Sequence, residues 1–167
     1  MPQEIAYLSI GSNLGQRRQN VRRAIARLSQ DPGITVERIS SFYETSPVGF
    51  RQPAYLNIIL KIKTSHSPHR LLAFLKGIER SLGRKPGPRW RPRPADLDII
   101  FYGHRRLHSP RLTIPHEQFR FRRFVLVPLL EIAPRLKDPQ SGKTIRQILR
   151  DLTSPDQRVR LKTPWTK

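Results

Sequence analysis

Two aspartates separated by a single residue are the sharpest chemical feature of the sequence. Asp96 and Asp98 lie in the segment ADLDIIFY, whose pattern predicts a strand. On a strand, residues i and i+2 point to the same side, so the two carboxylates would share one face about 7 Å apart at the backbone. Mg²⁺ suits such a pair because it needs few protein oxygens, and two ions could be clamped there. The alternative is a solvated strand end whose acids pair with arginines.

A basic segment directly precedes this pair. Lys76 to Arg93 contains seven Lys or Arg residues and one acid, Glu79. Proline and glycine interrupt residues 83–94 (GRKPGPRWRPRP), which predicts a loop. Arginine offers paired donors to phosphate oxygens, and Trp90 could stack on a ring or move with a closing loop. Carboxylates for a metal beside cations for phosphates are what a magnesium–nucleotide site requires.

The basic segment also fits two roles that involve no nucleotide. It could be a surface loop that Trp90 anchors, or an RNA-binding segment, since mixed basic and aromatic residues also suit nucleic acid. The sequence contains neither G-x-x-x-x-G-K-[ST] nor G-x-G-x-x-G. If ATP binds, its site is therefore neither a P-loop nor a protein-kinase site.

Composition limits the classes of protein that fit. The 167 residues include 32 Lys and Arg against 12 Asp and Glu, a formal net charge of +20. Such a charge attracts polyanions, although a basic bias spread over the whole surface would explain it equally well. The lack of cysteine excludes disulfide scaffolds, thiolate zinc sites and thiol nucleophiles. No signal peptide and no membrane span is recognisable, so we expect a cytoplasmic protein.

The pattern of apolar residues predicts the order β-α-β-β-α-β in one domain. The predicted strands are Glu4 to Ile10, Val36 to Tyr43, Tyr55 to Thr64 and Ala95 to Tyr102, and the predicted helices are Gln16 to Ser29 and Ser67 to Gly83. This order is typical of an α+β, ferredoxin-like fold, an antiparallel sheet with helices on one face. The other face would carry a ligand cleft or the additional C-terminal segments, which include an apolar run over 124–132 and a late helix over 144–152.

Several collinear motifs resemble one family, the 6-hydroxymethyl-7,8-dihydropterin pyrophosphokinases. The family signature Arg-Trp-Gly-Pro-Arg-x-x-Asp-Leu-Asp is similar to the stretch from Arg89 to Asp98, RWRPRPADLD. Flanking matches are YLSIGSNLG at 7–15, SSFYETSPVG at 40–49, YLN at 55–57, PH at 115–116 and RRFVLVPLLEIAP at 122–134. The resemblance spans roughly residues 4 to 135, and several motifs together are far more specific than any one of them.

The resemblance implies transfer of pyrophosphate from ATP to the hydroxymethyl group of the pterin, with AMP leaving, on the route to folate. It implies that Asp96 and Asp98 hold two Mg²⁺ ions and act with Arg84 and Arg93 in catalysis. Residues implied for ATP binding are Glu79, Trp90, Arg93, Ile99, Arg111, Thr113, His116 and Arg122. Residues implied for the pterin pocket are Thr45, Val48, Tyr55, Asn57, Trp90 and Phe124. Residues 1–167 would form one such domain, a monomer that needs no nucleic acid or membrane.

Some positions depart from the family pattern. Arg91 replaces a small residue, Lys76 stands where glutamine is often found, and Ser46 stands where proline is often found. We expect none of these departures to touch the aspartate pair. Three of the implied site residues also fit purely structural roles: His116 as a hydrogen-bonding group, Asn57 as a satisfied buried polar group, and Phe124 as part of the core. The competing function is a basic ferredoxin-like RNA-binding module, although no RNP-type aromatic pattern supports it.

Overall fold

A computed structural model describes residues 2–46, 51–88, 91–153 and 158–166 of the chain. The strands in these ranges are β1 Glu4–Ser12, β2 Ile34–Ile39, β3 Phe42–Thr45, β4 Tyr55–Thr64, β5 Asp96–Tyr102, β6 Leu107–His108, β7 Thr113–Ile114 and β8 Val159–Thr163. The helices are α1 Arg17–Ser29, α2 Pro68–Ser81, α3 Arg123–Ile132 and α4 Ile145–Asp151, with a short 3₁₀ turn at Phe119–Phe121. None of the helices in the described ranges is both long and apolar enough to span a membrane.

Six of these strands form one antiparallel sheet. Its order is β5-β1-β4-β3-β8, and β2 also pairs with β4. Strands β6 and β7 form a separate two-stranded sheet. The antiparallel sheet with helices confirms the α+β class, while strands β6, β7 and β8 lie in segments for which the sequence predicted none. Strand β8 forms the edge beside β3, and its residues Arg160, Leu161 and Lys162 are exposed.

The predicted single strand from Val36 to Tyr43 is wrong, because two strands, β2 and β3, are separated at Ser40-Ser41. The Ser40 hydroxyl accepts a hydrogen bond from the Ile59 N–H, and it donates one to the Ser41 carbonyl. The Ser41 N–H and hydroxyl both donate to the carboxylate of Glu131 on α3. Side-chain bonds therefore replace the regular ladder at this point and let the strand break.

The helices divide between the two faces of the sheet. On one face, α1 and α2 pack on alternating sheet residues that include Leu8, Leu60 and Leu97, as the βαββαβ pattern predicts. On the other face, α3 and α4 pack against residues that include Tyr7 and Ile59. The C-terminal segments therefore lie on the other face, as expected, and the apolar run over 124–132 among them is a helix, α3.

Local sequence signals fix where the helices begin and end. The Ser67 hydroxyl accepts a hydrogen bond from the Arg70 N–H, and Pro68 opens α2. Thr144 and Gln147 form a reciprocal capping box at the start of α4. Gly83 follows α2 with φ +95°, a conformation that side-chain-bearing residues rarely adopt. Helices α1, α2 and α4 therefore agree closely with those predicted, whereas α3 was predicted only as an apolar run.

A fully buried carboxylate ties the 3₁₀ turn to the segment before α4. Asp138 is 0% exposed and accepts two hydrogen bonds from Arg120, at 2.8 and 3.0 Å. It also accepts bonds from the Gln140 N–H and the Ser141 hydroxyl. Burial alone would raise the pKa of the Asp138 carboxyl, but these hydrogen bonds outweigh it and hold the pKa below its usual range.

We predict that Asp138→Asn lowers the free energy of unfolding by about 2–4 kcal/mol, because Arg120 keeps a charge with no carboxylate partner. Urea unfolding monitored by circular dichroism measures this loss. The matched change Asp151→Asn removes an exposed carboxylate and should cost less than about 0.5 kcal/mol.

The same pair of proteins should show a pH dependence. Because the pKa of Asp138 is depressed on folding, its contribution is complete above the unfolded value of about 3.9 and is lost as the pH falls through the folded value. The gap between wild type and Asp138→Asn should therefore be constant near neutral pH and shrink below about pH 4. A gap that widens in acid would contradict a depressed pKa.

Candidate active site

Strand register brings three predicted site positions side by side on the face opposite α1 and α2. Gly11 on β1 lies opposite Asp96 on β5 and opposite Asn57 on β4. One step along, Ser9 lies opposite Asp98. Directly paired residues share a face in an antiparallel sheet, so the two aspartates and Asn57 face the same side. The alternation predicted for the aspartate pair is the one observed, with Leu97 buried in the opposite core.

Gly11 leaves the space between these side chains open. A Cβ atom at this position would lie 2.7 Å from the Asn57 Oδ1 atom and 3.4 Å from Tyr55. Asn57 is 3% exposed, and its amide donates to the Thr45 hydroxyl at 2.8 Å. A larger residue at Gly11 would push the amide away from Thr45.

A cavity of about 470 Å³ opens over this part of the sheet. Its lining joins the sheet to the 3₁₀ turn and to the first residues of α3. The lining residues are Ser9, Gly11, Thr45, Ser46, Gln52, Tyr55, Asn57, Arg93, Asp96, Asp98, Gln118, Phe121, Arg122 and Phe124. A second hollow of about 480 Å³, lined by Leu14, Gly83–Pro88 and Arg91–Pro94, adjoins it through Arg93. The structure therefore brings together eight predicted site residues: Thr45, Tyr55, Asn57, Arg93, Asp96, Asp98, Arg122 and Phe124.

The aspartate pair is partly shielded from solvent. The side chains of Asp96 and Asp98 are 29% and 28% exposed. Burial and the nearby Asp96 charge raise the pKa of the Asp98 carboxyl, and Lys76, His116 and Arg122 oppose this shift. In the described part of the chain, no three His, Asp or Glu side chains gather into a larger metal-binding cluster. Two carboxylates with open positions suit a hard ion that keeps water and phosphate ligands.

Each aspartate has at least one cation within salt-bridge distance of its carboxylate. Arg84 Nη1 lies 3.1 Å from Asp96 Oδ1, and Arg93 Nη1 lies 3.4 Å from the same oxygen. Lys76 Nζ lies 3.8 Å from Asp98 Oδ1. The expectation that the departure at Lys76 stays clear of the aspartate pair is therefore wrong.

The buried carboxylate of Glu79 binds two of these cations, Lys76 and Arg84. It is 2% exposed and pairs with Lys76 at 2.9 Å and with Arg84. Its Oε1 atom also accepts the Leu97 N–H at 2.7 Å. Glu79 thus binds the residue between the two aspartates together with one cation neighbour of each aspartate. The structure places it beneath the site as a support.

The remaining predicted residues lie at the margin of the cavity or beneath it. Ile99 is 2% exposed in the opposite core, so a nucleotide could reach only its backbone. Thr113 lies in the two-stranded sheet and Arg111 lies beside it, and neither residue lines the cavity. His116 lies near Asp98, and burial lowers the pKa of its imidazole against the opposing Asp98 charge. Val48 and Trp90 lie outside the described residues.

Sequence reasoning missed residues that position the two loops flanking the cavity. Asn13, 1% exposed, exchanges hydrogen bonds with the backbone of Arg93 at 2.8 and 3.1 Å and donates to Gln52 at 3.0 Å. Arg17 donates to the Ala54 carbonyl and to Glu44, both at 2.8 Å. It thereby fastens the two strand ends that the chain over 46–54 connects. No local pattern indicates these contacts, because the partners lie 27 to 80 residues away in sequence.

The comparison with known proteins settles the family. A sequence model of the 7,8-dihydro-6-hydroxymethylpterin-pyrophosphokinase (HPPK) family matches residues 7–134. The chain belongs to the HPPK family. The 2-amino-4-hydroxy-6-hydroxymethyldihydropteridine pyrophosphokinase from Synechocystis is 49% identical over 144 residues, which cover 86% of this chain and 74% of the relative. The one from Bacillus subtilis is 42% identical over 148 residues, 87% and 89% of the two chains.

Solved structures agree on the fold. Crystal structures of an HPPK-DHPS in complex with substrates and of Plasmodium falciparum HPPK-DHPS with pteroate give TM-scores of 0.69 and 0.72 at 15% identity. Each covers 89% of this chain, which spans only 43% and 42% of theirs. The predicted family and its enzyme class, a pterin diphosphokinase that uses ATP as co-substrate, are confirmed. Nothing in these matches supports the RNA-binding alternative.

We predict that Arg17→Met loosens the strand ends beside the cavity of this HPPK-family protein, because the Glu44 and Ala54 bonds are lost together. Hydrogen–deuterium exchange should show about tenfold faster exchange for the peptide covering residues 51–57. Arg23→Met, which removes an exposed arginine from the same helix, should leave the peptide unchanged. Equal protection in both variants would show that Arg17 does not fasten this segment.

Proposed function

We propose that the chain transfers the pyrophosphoryl group of ATP to the hydroxymethyl oxygen of 6-hydroxymethyl-7,8-dihydropterin. One observation carries this proposal. The aspartate pair, Arg93 and Arg122 open into the same cavity as a polar, aromatic pocket formed by Thr45, Asn57 and Phe124. Such a cavity can hold a polyphosphate at one end and a flat heterocycle at the other. Family membership independently favours the same pair of substrates.

Asp96 and Asp98 would together hold two magnesium ions. Their donor set fits, since Mg²⁺ takes one or two carboxylates and completes its shell with water and phosphate oxygens. Burial and the nearby Asp96 charge raise the pKa of the Asp98 carboxyl, so a bound divalent cation would favour its ionised form. Bound magnesium would neutralise negative charge on the oxygens of the phosphate groups that are transferred.

The arginines around the pair would bind and orient the triphosphate. Arg84 and Arg93 lie against Asp96, and Arg122 lines the cavity. Guanidinium groups hold phosphate oxygens in paired hydrogen bonds, and in a partly shielded site they stabilise charge that develops during transfer. We propose that the remaining residues of the ATP site are Glu79, as a support, Ile99, through its backbone, and Trp90, Arg111, Thr113 and His116.

The pterin would lie between aromatic and amide groups. Phe124 and Tyr55 line the cavity, and the Arg122 guanidinium lies 5.6 Å from the centre of the Phe124 ring. Asn57 and Thr45 supply the hydrogen-bonding groups that the edge of a pterin requires. Val48 and Trp90 complete the proposed set. With both substrates aligned, the new bond joins the hydroxymethyl oxygen to the β-phosphorus, the bond to the AMP oxygen breaks, and the hydroxyl proton is released.

Finer features of the protein belong to the same proposal. We infer a ferredoxin-like βαββαβ unit, supported by the order β5-β1-β4 followed by β2 and β3 as two parts of one strand position. We further propose that residues 1–167 form one pyrophosphokinase domain, which acts as a cytoplasmic monomer and needs no nucleic acid or membrane.

We predict that the protein releases AMP only when Mg²⁺, ATP and the hydroxymethyl-dihydropterin are all present. Asp98→Asn should lower kcat by at least about a thousandfold, because an amide binds magnesium poorly at the transferring phosphate. Chromatographic detection of AMP measures both effects, and the control Asp151→Asn should match wild type. AMP release that is independent of the pterin would contradict the proposed acceptor.

A second prediction tests the pterin pocket. Asn57→Leu should raise KM for the pterin at least about tenfold, because the substrate's polar edge would lose its partner. KM for ATP should stay within about twofold, since Gly11 on β1 separates Asn57 from the arginine-bound Asp96. Steady-state kinetics with each substrate varied in turn measures the two constants. An equal rise in both would show instead that the substitution disturbs the whole sheet face.

A further inference from the structure

Lys76 joins the buried carboxylate of Glu79 to the aspartate pair. Its ammonium lies 2.9 Å from Glu79 Oε1, donates to the Leu97 carbonyl at 3.1 Å and lies 3.8 Å from Asp98 Oδ1. Three partners on two elements hold the charge in place. The ammonium therefore stays close to Asp98 whether or not a ligand is bound.

Among the described residues, the salt bridges around the pair already match its negative charge before any ligand arrives, and Arg122 adds a further positive charge in the cavity. Three carboxylates, Glu79, Asp96 and Asp98, face three cations, Lys76, Arg84 and Arg93. A bare divalent cation would add charge that nothing in this group compensates. A triphosphate brings negative charge of its own, so a metal that arrives with phosphates meets no such excess.

Lys76 is the cation that acts on the Asp98 side of the pair. Magnesium–oxygen bonds are about 2.1 Å long, so an ion on Asp98 Oδ1 would lie no more than about 6 Å from the ammonium. The lysine side chain is 35% exposed, so water and salt screen part of the repulsion. Even at the dielectric constant of water, a unit charge about 6 Å from a divalent ion weakens its binding by about tenfold before salt reduces the effect.

We propose that Lys76 is a positioning residue that holds Asp98 and weakens the binding of a free divalent cation there, so that metal is taken up together with the nucleotide phosphates. The inference rests on the proposed function of the aspartate pair. It concerns a position where this chain departs from the glutamine that is often found in its family.

The test is a titration of Mn²⁺ in the absence of nucleotide and pterin, followed by electron paramagnetic resonance. Mn²⁺ takes the same oxygen ligands as Mg²⁺. Lys76→Gln removes the charge but keeps a donor for Glu79 and Leu97, and it should bind Mn²⁺ about three- to tenfold more tightly than wild type. Lys76→Arg keeps the charge and should behave as wild type. Arg70→Gln, an equal charge change at the far end of the same helix, should alter affinity less than about twofold.

Asp98→Ala separates the proposed metal site from the proposed role of Lys76. If it leaves Mn²⁺ affinity at the wild-type value, the aspartate pair is not the metal site, and both the proposed site and this inference are overturned. If it weakens binding but Lys76→Gln binds no more tightly than wild type, this inference alone is overturned. Tighter binding in Lys76→Gln with wild-type affinity in Lys76→Arg supports it, because a purely structural role would be lost in the uncharged variant without strengthening the site.

Discussion

Mutual repulsion between two neighbouring carboxylates is the constraint around which this site is organised. Asp96 and Asp98 share a face of one strand, and in the absence of metal their charges must be balanced by the protein itself. Lys76 on helix α2 and Arg84 in the segment after it provide this balance, and both also bind Glu79. Because Glu79 is almost wholly buried, the positions of these cations are fixed from inside the fold.

The sheet keeps this charged assembly apart from the apolar core by alternation alone. Leu97 and Ile99 enter the core beneath α1 and α2, while the aspartates that alternate with them face the cavity. A slip of one residue in the pairing of β1 with β5 would exchange these two sets, so the same apolar residues that stabilise the fold also specify the site. Helix α3 covers only part of the opposite face. The cavity lies over the part of that face next to the first turn of α3.

Sequence reasoning succeeded where the determinants are local. Alternation placed Asp96 and Asp98 on one face, and Ser67-Pro68 located the start of α2. It failed where the determinant is a contact between distant segments. The break at Ser40-Ser41 depends on the Glu131 side chain some ninety residues later. The proximity of Lys76 to Asp98 likewise depends on how α2 packs against β5, which no local pattern reports. The family resemblance predicted residues that line the cavity. It did not predict the contacts that hold those residues in place, such as those of Asn13 with Arg93 and of Glu79 with Lys76 and Arg84.

The edge strand β8 has a consequence for how copies of this protein behave near one another. Among the described residues it pairs with β3 alone, so its outer side presents backbone groups that another extended chain could bind. Arg160 and Lys162 are exposed along that edge, around the equally exposed Leu161. Like charges would meet if two such edges approached each other, which opposes sheet extension and fibril growth. Arg160 and Lys162 do not line the cavity, so the positive charge of the chain is not confined to the proposed phosphate site.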